Sequence, residues 1–88
     1  MKQDLPEQAT LTVLVHAPGT PEGKEFTWKK SVKVGDAARE AAAAFGLIGG
    51  TPTLLDEEGR VLDRNRPLVA EGVRDGAKLE LVDVGGAV

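Results

Sequence analysis

No cysteine occurs in the 88 residues, so the chain has no disulfide framework, no thiol nucleophile and no thiolate metal site. A reducing compartment is consistent with that composition. Tyrosine is absent too, and the aromatic residues are Phe26, Trp28 and Phe45 alone, which leaves Leu, Val and Ala to fill most of a core. Histidine is limited to His16. With no second His and no nearby Ser arrangement, neither a catalytic triad nor a zinc site can be assembled, so no catalytic residue, metal or cofactor is expected. No apolar run approaches the roughly 20 residues that span a bilayer, and the first residues lack the basic segment and apolar run of a signal peptide. Nor is there an excess of positive charge: the formal net charge is -3 with the signs mixed, which argues against a nucleic-acid partner. The densest basic stretch, Lys29-Lys30 with Lys33, reads as a solvated strand face. What remains is one small soluble domain, expected in the cytoplasm, with a modest core and no membrane partner.

The chain divides into three parts. Residues 1–9 are polar, contain Pro6 and show no period, and read as a loose N-terminal extension. The domain spans 10–84. Its first run alternates, with Leu11, Val13 and Val15 on one face and Thr12, Leu14 and His16 on the other, the pattern of a strand with one face to a core. Turn formers over Ala17–Gly23 then lead into a second run in which Phe26, Trp28, Val32 and Val34 share a phase, so the two runs predict a hairpin. Lys30 falls in the apolar phase, which predicts a bulge or the sheet margin there. Gly35-Asp36 is a helix-start signal, with Asp36 as the cap, and the helix should run to about Phe45 and stop at Gly46. Ala38, Ala41, Ala42 and Phe45 fall on one face of it, so methyl groups should meet the sheet closely. A strand over Thr51–Leu55, a turn at Asp56–Gly59 and a short return strand over Arg60–Leu62 follow. Leu68, Val69 and Val73 should tuck inward before the Asp75-Gly76 turn. The last strand begins near Lys78, with Leu79 and Leu81 inward and Glu80 and Val82 outward.

Two loops invite chemistry and do not carry it. Gly49-Gly50 lacks the Lys-Ser/Thr of a phosphate loop, and Asp56-Glu57-Glu58 lacks the ligand spacing of a calcium site. The third part, residues 85–88, is different. Gly85-Gly86 comes after the last strand, where it turns no corner. A segment without Cβ atoms is narrow enough to thread into another protein's active site, where a glycine carboxyl group can be activated.

This order gives an α+β fold, with one helix packed across a mixed sheet, and it resembles the ubiquitin-like β-grasp family over about Thr10 to Gly86. The resemblance rests on the Val34-Gly35-Asp36 helix entry, the Leu54-Leu55 strand with its Glu58-Gly59-Arg60 turn, and the segment from Leu68 to Leu81. Its most specific stretch is Gly72-Val73-Arg74-Asp75-Gly76-Ala77-Lys78-Leu79-Glu80-Leu81. With the diglycine and the two residues beyond it, the chain looks most like bacterial ubiquitin-like modifiers encoded beside an activating enzyme, a conjugating enzyme and a metalloprotease.

That resemblance implies a protein modifier that is not itself an enzyme. Cleavage between Gly86 and Ala87 would free the Gly86 carboxylate, Gly85 would keep the tail narrow, and an adenylating enzyme, a conjugating enzyme and a processing protease would act on it. The product would be an isopeptide or ester with a protein target. Ubiquitin's apolar recognition patch falls near Leu55 and Val82, with Leu14 as a third member. Only Asp83-Val84 separate Val82 from the glycines, so recognition of the arginines in ubiquitin's longer tail does not carry over. Arg60 stands where ubiquitin has its main chain-forming lysine, and a guanidinium is no acyl acceptor. Lys2, Lys24, Lys29, Lys30, Lys33 and Lys78 are the remaining amines. Two alternatives stay open: a sulfur carrier, whose glycine carboxylate becomes a thiocarboxylate, and a non-conjugated ubiquitin-like interaction domain.

Overall fold

The structure, a computed structural model, describes residues 10–19, 22–47 and 50–83. The N-terminal extension, Val84 and the 85–88 tail lie outside the described residues. Strand β1 (Thr10–His16) and strand β2 (Gly23–Lys29) form the expected antiparallel hairpin, with Val13 opposite Phe26 and Leu11 opposite Trp28. Helix α1 (Val34–Ala44) follows, then β3 (Pro52–Leu55), a 3₁₀ turn (Leu68–Glu71) and β4 (Lys78–Asp83). The strands lie in the order β2-β1-β4-β3, and β4 runs parallel to β1 and antiparallel to β3. First and last strands thus meet at the centre of a mixed sheet.

Alternation decides which face is dry. Leu11, Val13 and Val15 of β1, Leu54 of β3 and Leu79 and Leu81 of β4 are buried beneath α1, which contributes Val34, Ala37, Ala38, Ala41 and Ala42. The helix backbone comes closest to β3 and stands farther from β2. Small residues fill the close side, and large ones fill the wedge on the far side. There Phe26 stacks on Trp28 with ring centroids 4.9 Å apart, and the Trp28 indole N–H donates to Glu40 Oε1 at 2.9 Å.

Four local expectations are corrected. Strand β2 ends at Lys29, because Lys30-Ser31 form a turn closed by the Val32 N–H on the Lys29 carbonyl, so Val32 and Val34 leave the strand, while Lys30 lies at the sheet margin, one of the two places expected for it. The helix starts at Val34, and its N-cap is Lys33, which makes no side-chain capping bond. Its first amides are satisfied instead by the chain: Val34 and Gly35 donate to the carbonyls of Arg66 and Arg64 at 2.9 Å, so Asp36 is left exposed and paired with Arg39. The return strand shrinks to a single bridge between Val61 and Leu55, and Val69 is 52% exposed, since of the 3₁₀ turn only Leu68 is buried. The helix end is as expected. Gly46 adopts φ 79°, and Leu47 N–H reaches back to the Ala42 carbonyl at 2.8 Å.

Candidate interaction faces

The face of the sheet turned away from α1 gathers the surface residues singled out in the sequence. Leu55 stands opposite Glu80, and Val82 opposite Thr53, which makes Leu55 and Val82 diagonal neighbours on one face. Both are half-buried. Leu14 shares that face but lies opposite Lys78 on one side and Glu25 on the other, so the row holding His16 and Glu80 comes between it and Val82. It leans the other way. The Leu14 Cγ and the His16 Cε1 stand 3.0 and 3.1 Å from where a Cβ on Gly23 would be, so these two side chains lie over the bare backbone of β2. Leu55 and Val82 therefore form the compact apolar pair, and Leu14 and His16 a second small cluster beside it.

A cleft of about 380 Å³ opens at the end of β4, lined by Pro18, Ala42, Leu47, Pro52, Leu81 and Val82 among others. The sequence reading did not single out Leu47, which is 47% exposed just past the helix-ending Gly46. A large apolar residue left outside after a C-cap was the available signal. Asp83 closes the cleft. Its carboxylate accepts the Thr51 N–H at 3.1 Å and crowds Gly50, which has φ 76° and no room for a Cβ, so the end of β4 is tied to the start of β3. Gly85, Gly86 and Ala87 lie outside the described residues.

Charged groups away from this face are mostly spent on the fold. Asp56 accepts the backbone N–H groups of Glu58 and Arg60 and the Arg60 side chain, and chiefly the Arg60 backbone bond holds its carboxyl below the ordinary value, against the opposing effect of desolvation. Glu71, only 9% exposed, accepts the Asp63 N–H at 3.1 Å and pairs with Arg66 at 3.0 Å. Among the described residues no group of His, Cys, Asp and Glu is placed to hold a metal ion, and no helix is long and apolar enough to cross a membrane.

No family model matches the sequence, and no curated protein matches it. Solved structures do match. Ubiquitin from Caldiarchaeum subterraneum superposes with a TM-score of 0.73 at 22% identity, covering 90% of this chain and 99% of that one. A chain from a structure described as molecular mimicry of SUMO that promotes DNA repair gives 0.72 at 17% identity, covering 84% and 91%. A chain of the toluene 4-monooxygenase HD complex gives 0.75 at 9% identity, covering 85% and 99%. These likenesses define the fold: the chain has the ubiquitin-like β-grasp fold. They do not by themselves assign a job, since a chain of a monooxygenase complex shares the architecture with ubiquitin.

Proposed function

We propose that the chain is a ubiquitin-like protein modifier that acts through the carboxylate of Gly86. One observation carries this reading: a Gly-Gly pair follows the last strand of a ubiquitin-like domain after only Val84. In the reaction, a Gly86 carboxylate oxygen attacks the α-phosphorus of ATP and expels pyrophosphate. An amine or hydroxyl of a protein target, directly or after a thioester on a conjugating enzyme, then takes the acyl group, and AMP leaves. The modifier supplies the carboxylate and the recognition surfaces, and the catalytic groups belong to its adenylating and conjugating partners. The Leu55 and Val82 pair and the cleft beside Asp83 are where those partners would dock. Residues from Ala87 onward must be removed first by a processing protease, a metalloprotease in the systems it resembles. Each extended residue adds about 3.3–3.6 Å, so two extra residues displace the carboxylate by about 7 Å. An active site aligns reacting atoms to about 3–3.5 Å and cannot absorb that error. The setting is the cytoplasm, where ATP and the activating enzyme are available.

The test incubates the 88-residue chain, and a version ending at Gly86, with ATP and the adenylating enzyme encoded nearest its gene, with and without a sulfide donor, and follows products by intact mass. The Gly86 form should yield an adenylate or thioester and the longer chain should not. Equal activation of both removes the processing step. A thiocarboxylate that never passes to a protein target supports the sulfur carrier, and activation of neither form supports the non-conjugated interaction domain.

A further inference from the structure

Strand β4 ends where the ladder with β3 runs short of backbone partners. Leu54 and Pro52 both turn their carbonyls to the outer edge of β3, to the Leu62 N–H at 2.9 Å and the Arg64 Nε at 2.6 Å, and a proline has no N–H to give. Pro52 stands opposite Asp83, so in this last pair β3 offers the ladder neither donor nor acceptor. A side chain supplies the next bond. The Asp83 carboxylate, in phase with Leu79 and Leu81 on the α1 side, accepts the Thr51 N–H at 3.1 Å. It occupies the space where Gly50, at φ 76°, has no Cβ. Arg64, whose guanidinium lies close over Gly35 at the start of α1, holds the same stretch of β3 from its other edge. The seat of the Asp83 carboxylate is thus fixed from both sides.

The sequence sets what this does to the tail. Only Val84 and Gly85 separate Asp83 from Gly86. Fully extended, three residues reach about 10–11 Å, so the Gly86 carboxylate must react within that distance of the end of β4. If β4 came loose back to Leu81, two more residues would join the tether and lengthen it by about 7 Å. A longer, freer tether lowers the effective concentration of the carboxylate at a site that has already docked the folded body, and it loosens the alignment of the reacting atoms.

We propose that Asp83 is a positioning residue, which fixes the point where the tail leaves the sheet and so holds Gly86 on a short tether against the body. This rests on the reading of Gly86 as the reacting group. The partner such a tether fits is an enzyme whose reacting groups lie at the rim of its docking surface, beside the end of β4, and not at the bottom of a deep channel. Asp83 touches no reacting atom and acts only through the strand end that it ties down.

The test compares forms ending at Gly86: the parent, Asp83→Asn, Asp83→Ala, Gly50→Ala, and the parent and Asp83→Ala each with two glycines inserted after Val84. Asp83→Asn keeps an oxygen for the Thr51 N–H, whereas Gly50→Ala leaves the carboxylate intact and takes its space. Amide exchange reads the bond itself: the Thr51 amide should exchange about tenfold faster in Asp83→Ala and Gly50→Ala than in the parent and Asp83→Asn, with the Val15 and Leu79 amides unchanged. Activation is then followed with ATP and the adenylating enzyme encoded nearest the gene. Asp83→Ala, Gly50→Ala and the lengthened parent should lose about tenfold in kcat while KM stays within about twofold, and Asp83→Asn should match the parent. The insertion should add little to Asp83→Ala, because both changes remove the same fixed point. The proposal is overturned by unchanged Thr51 exchange in Asp83→Ala, by a lengthened parent activated as well as the parent, or by an Asp83→Asn that is slow although its Thr51 amide stays protected, which would make charge the cause. Activation of no form at all removes the reading of Gly86 and this proposal with it, whereas equal activation of every form removes the positioning role alone.

Discussion

At the scale of single residues, alanine sets how closely α1 approaches the sheet. Ala37, Ala38 and Ala41 are fully buried, and the helix backbone lies nearest β3, where Leu54 is also fully buried. Ala41→Leu should overpack that contact and cost about 1–3 kcal/mol. A urea midpoint unchanged by the substitution would take Ala41 out of the core. Glu71 plays a different part, since its carboxylate joins Arg66 and the Asp63 amide at 9% exposure. Glu71→Ala leaves that amide short of its acceptor and should cost about 1–3 kcal/mol, while Glu71→Gln, which keeps an acceptor oxygen, should lose less. Equal losses would mean that the ion pair, not the amide bond, sets the effect. The alanine face was legible because a helical period places it without knowledge of the partner. Glu71 was not, because its value depends on Arg60, Arg66 and the Asp63 amide, which meet it only in the folded chain.

At the scale of elements, the helix entry shows why a local signal can be right about an element and wrong about its start. Gly35-Asp36 marked the helix, but the first amides are taken by the Arg64 and Arg66 carbonyls, and that long-range capping moved the start to Val34. Gly35 serves the same contact, since a Cβ there would stand 3.0 Å from the Arg64 guanidinium carbon. The Asp56–Gly59 turn, by contrast, was legible whole, because its bonds are local: Gly59 N–H to the Asp56 carbonyl, Gly59 at φ 84°, and the Asp56 carboxylate on the amides of Glu58 and Arg60. Those bonds favour the ionised form, so the folded pKa of Asp56 lies below its unfolded value of about 3.9. The contribution to stability is therefore complete above that unfolded value and is lost as pH falls through the lower, folded one. A carbon-detected carboxyl titration should place Asp56 below the ordinary aspartate range, with the Arg60 amide shift following the same curve. An Asp56 midpoint at or above the ordinary value would show that the turn holds without its carboxylate.

At the scale of the whole molecule, the sheet is closed by its ends. The order hairpin, helix, short strands and final strand was readable from the sequence, as was a mixed sheet, but the parallel meeting of β1 and β4 was not, since no local pattern says which distant strands will pair. That pairing makes β4 the piece on which the rest depends: Leu79 lies opposite Val15, and both are buried in the core beneath α1. The Leu55 and Val82 face, the outer edge of β2 and the end of β4 all belong to this one sheet, so unfolding should be cooperative. Trp28, the sole tryptophan, sits in β2 on the far side of β1 from β4 and reports from the opposite end of the sheet. Leu79→Ala should cost about 2–5 kcal/mol, a large share of the roughly 5–15 kcal/mol that holds a domain together. Its urea transition, followed by Trp28 fluorescence and by far-ultraviolet circular dichroism, should move to lower denaturant by the same amount with both probes. If the fluorescence midpoint stayed in place while the dichroism shifted, the hairpin would be folding without β4, and the closed sheet would not be the cooperative unit.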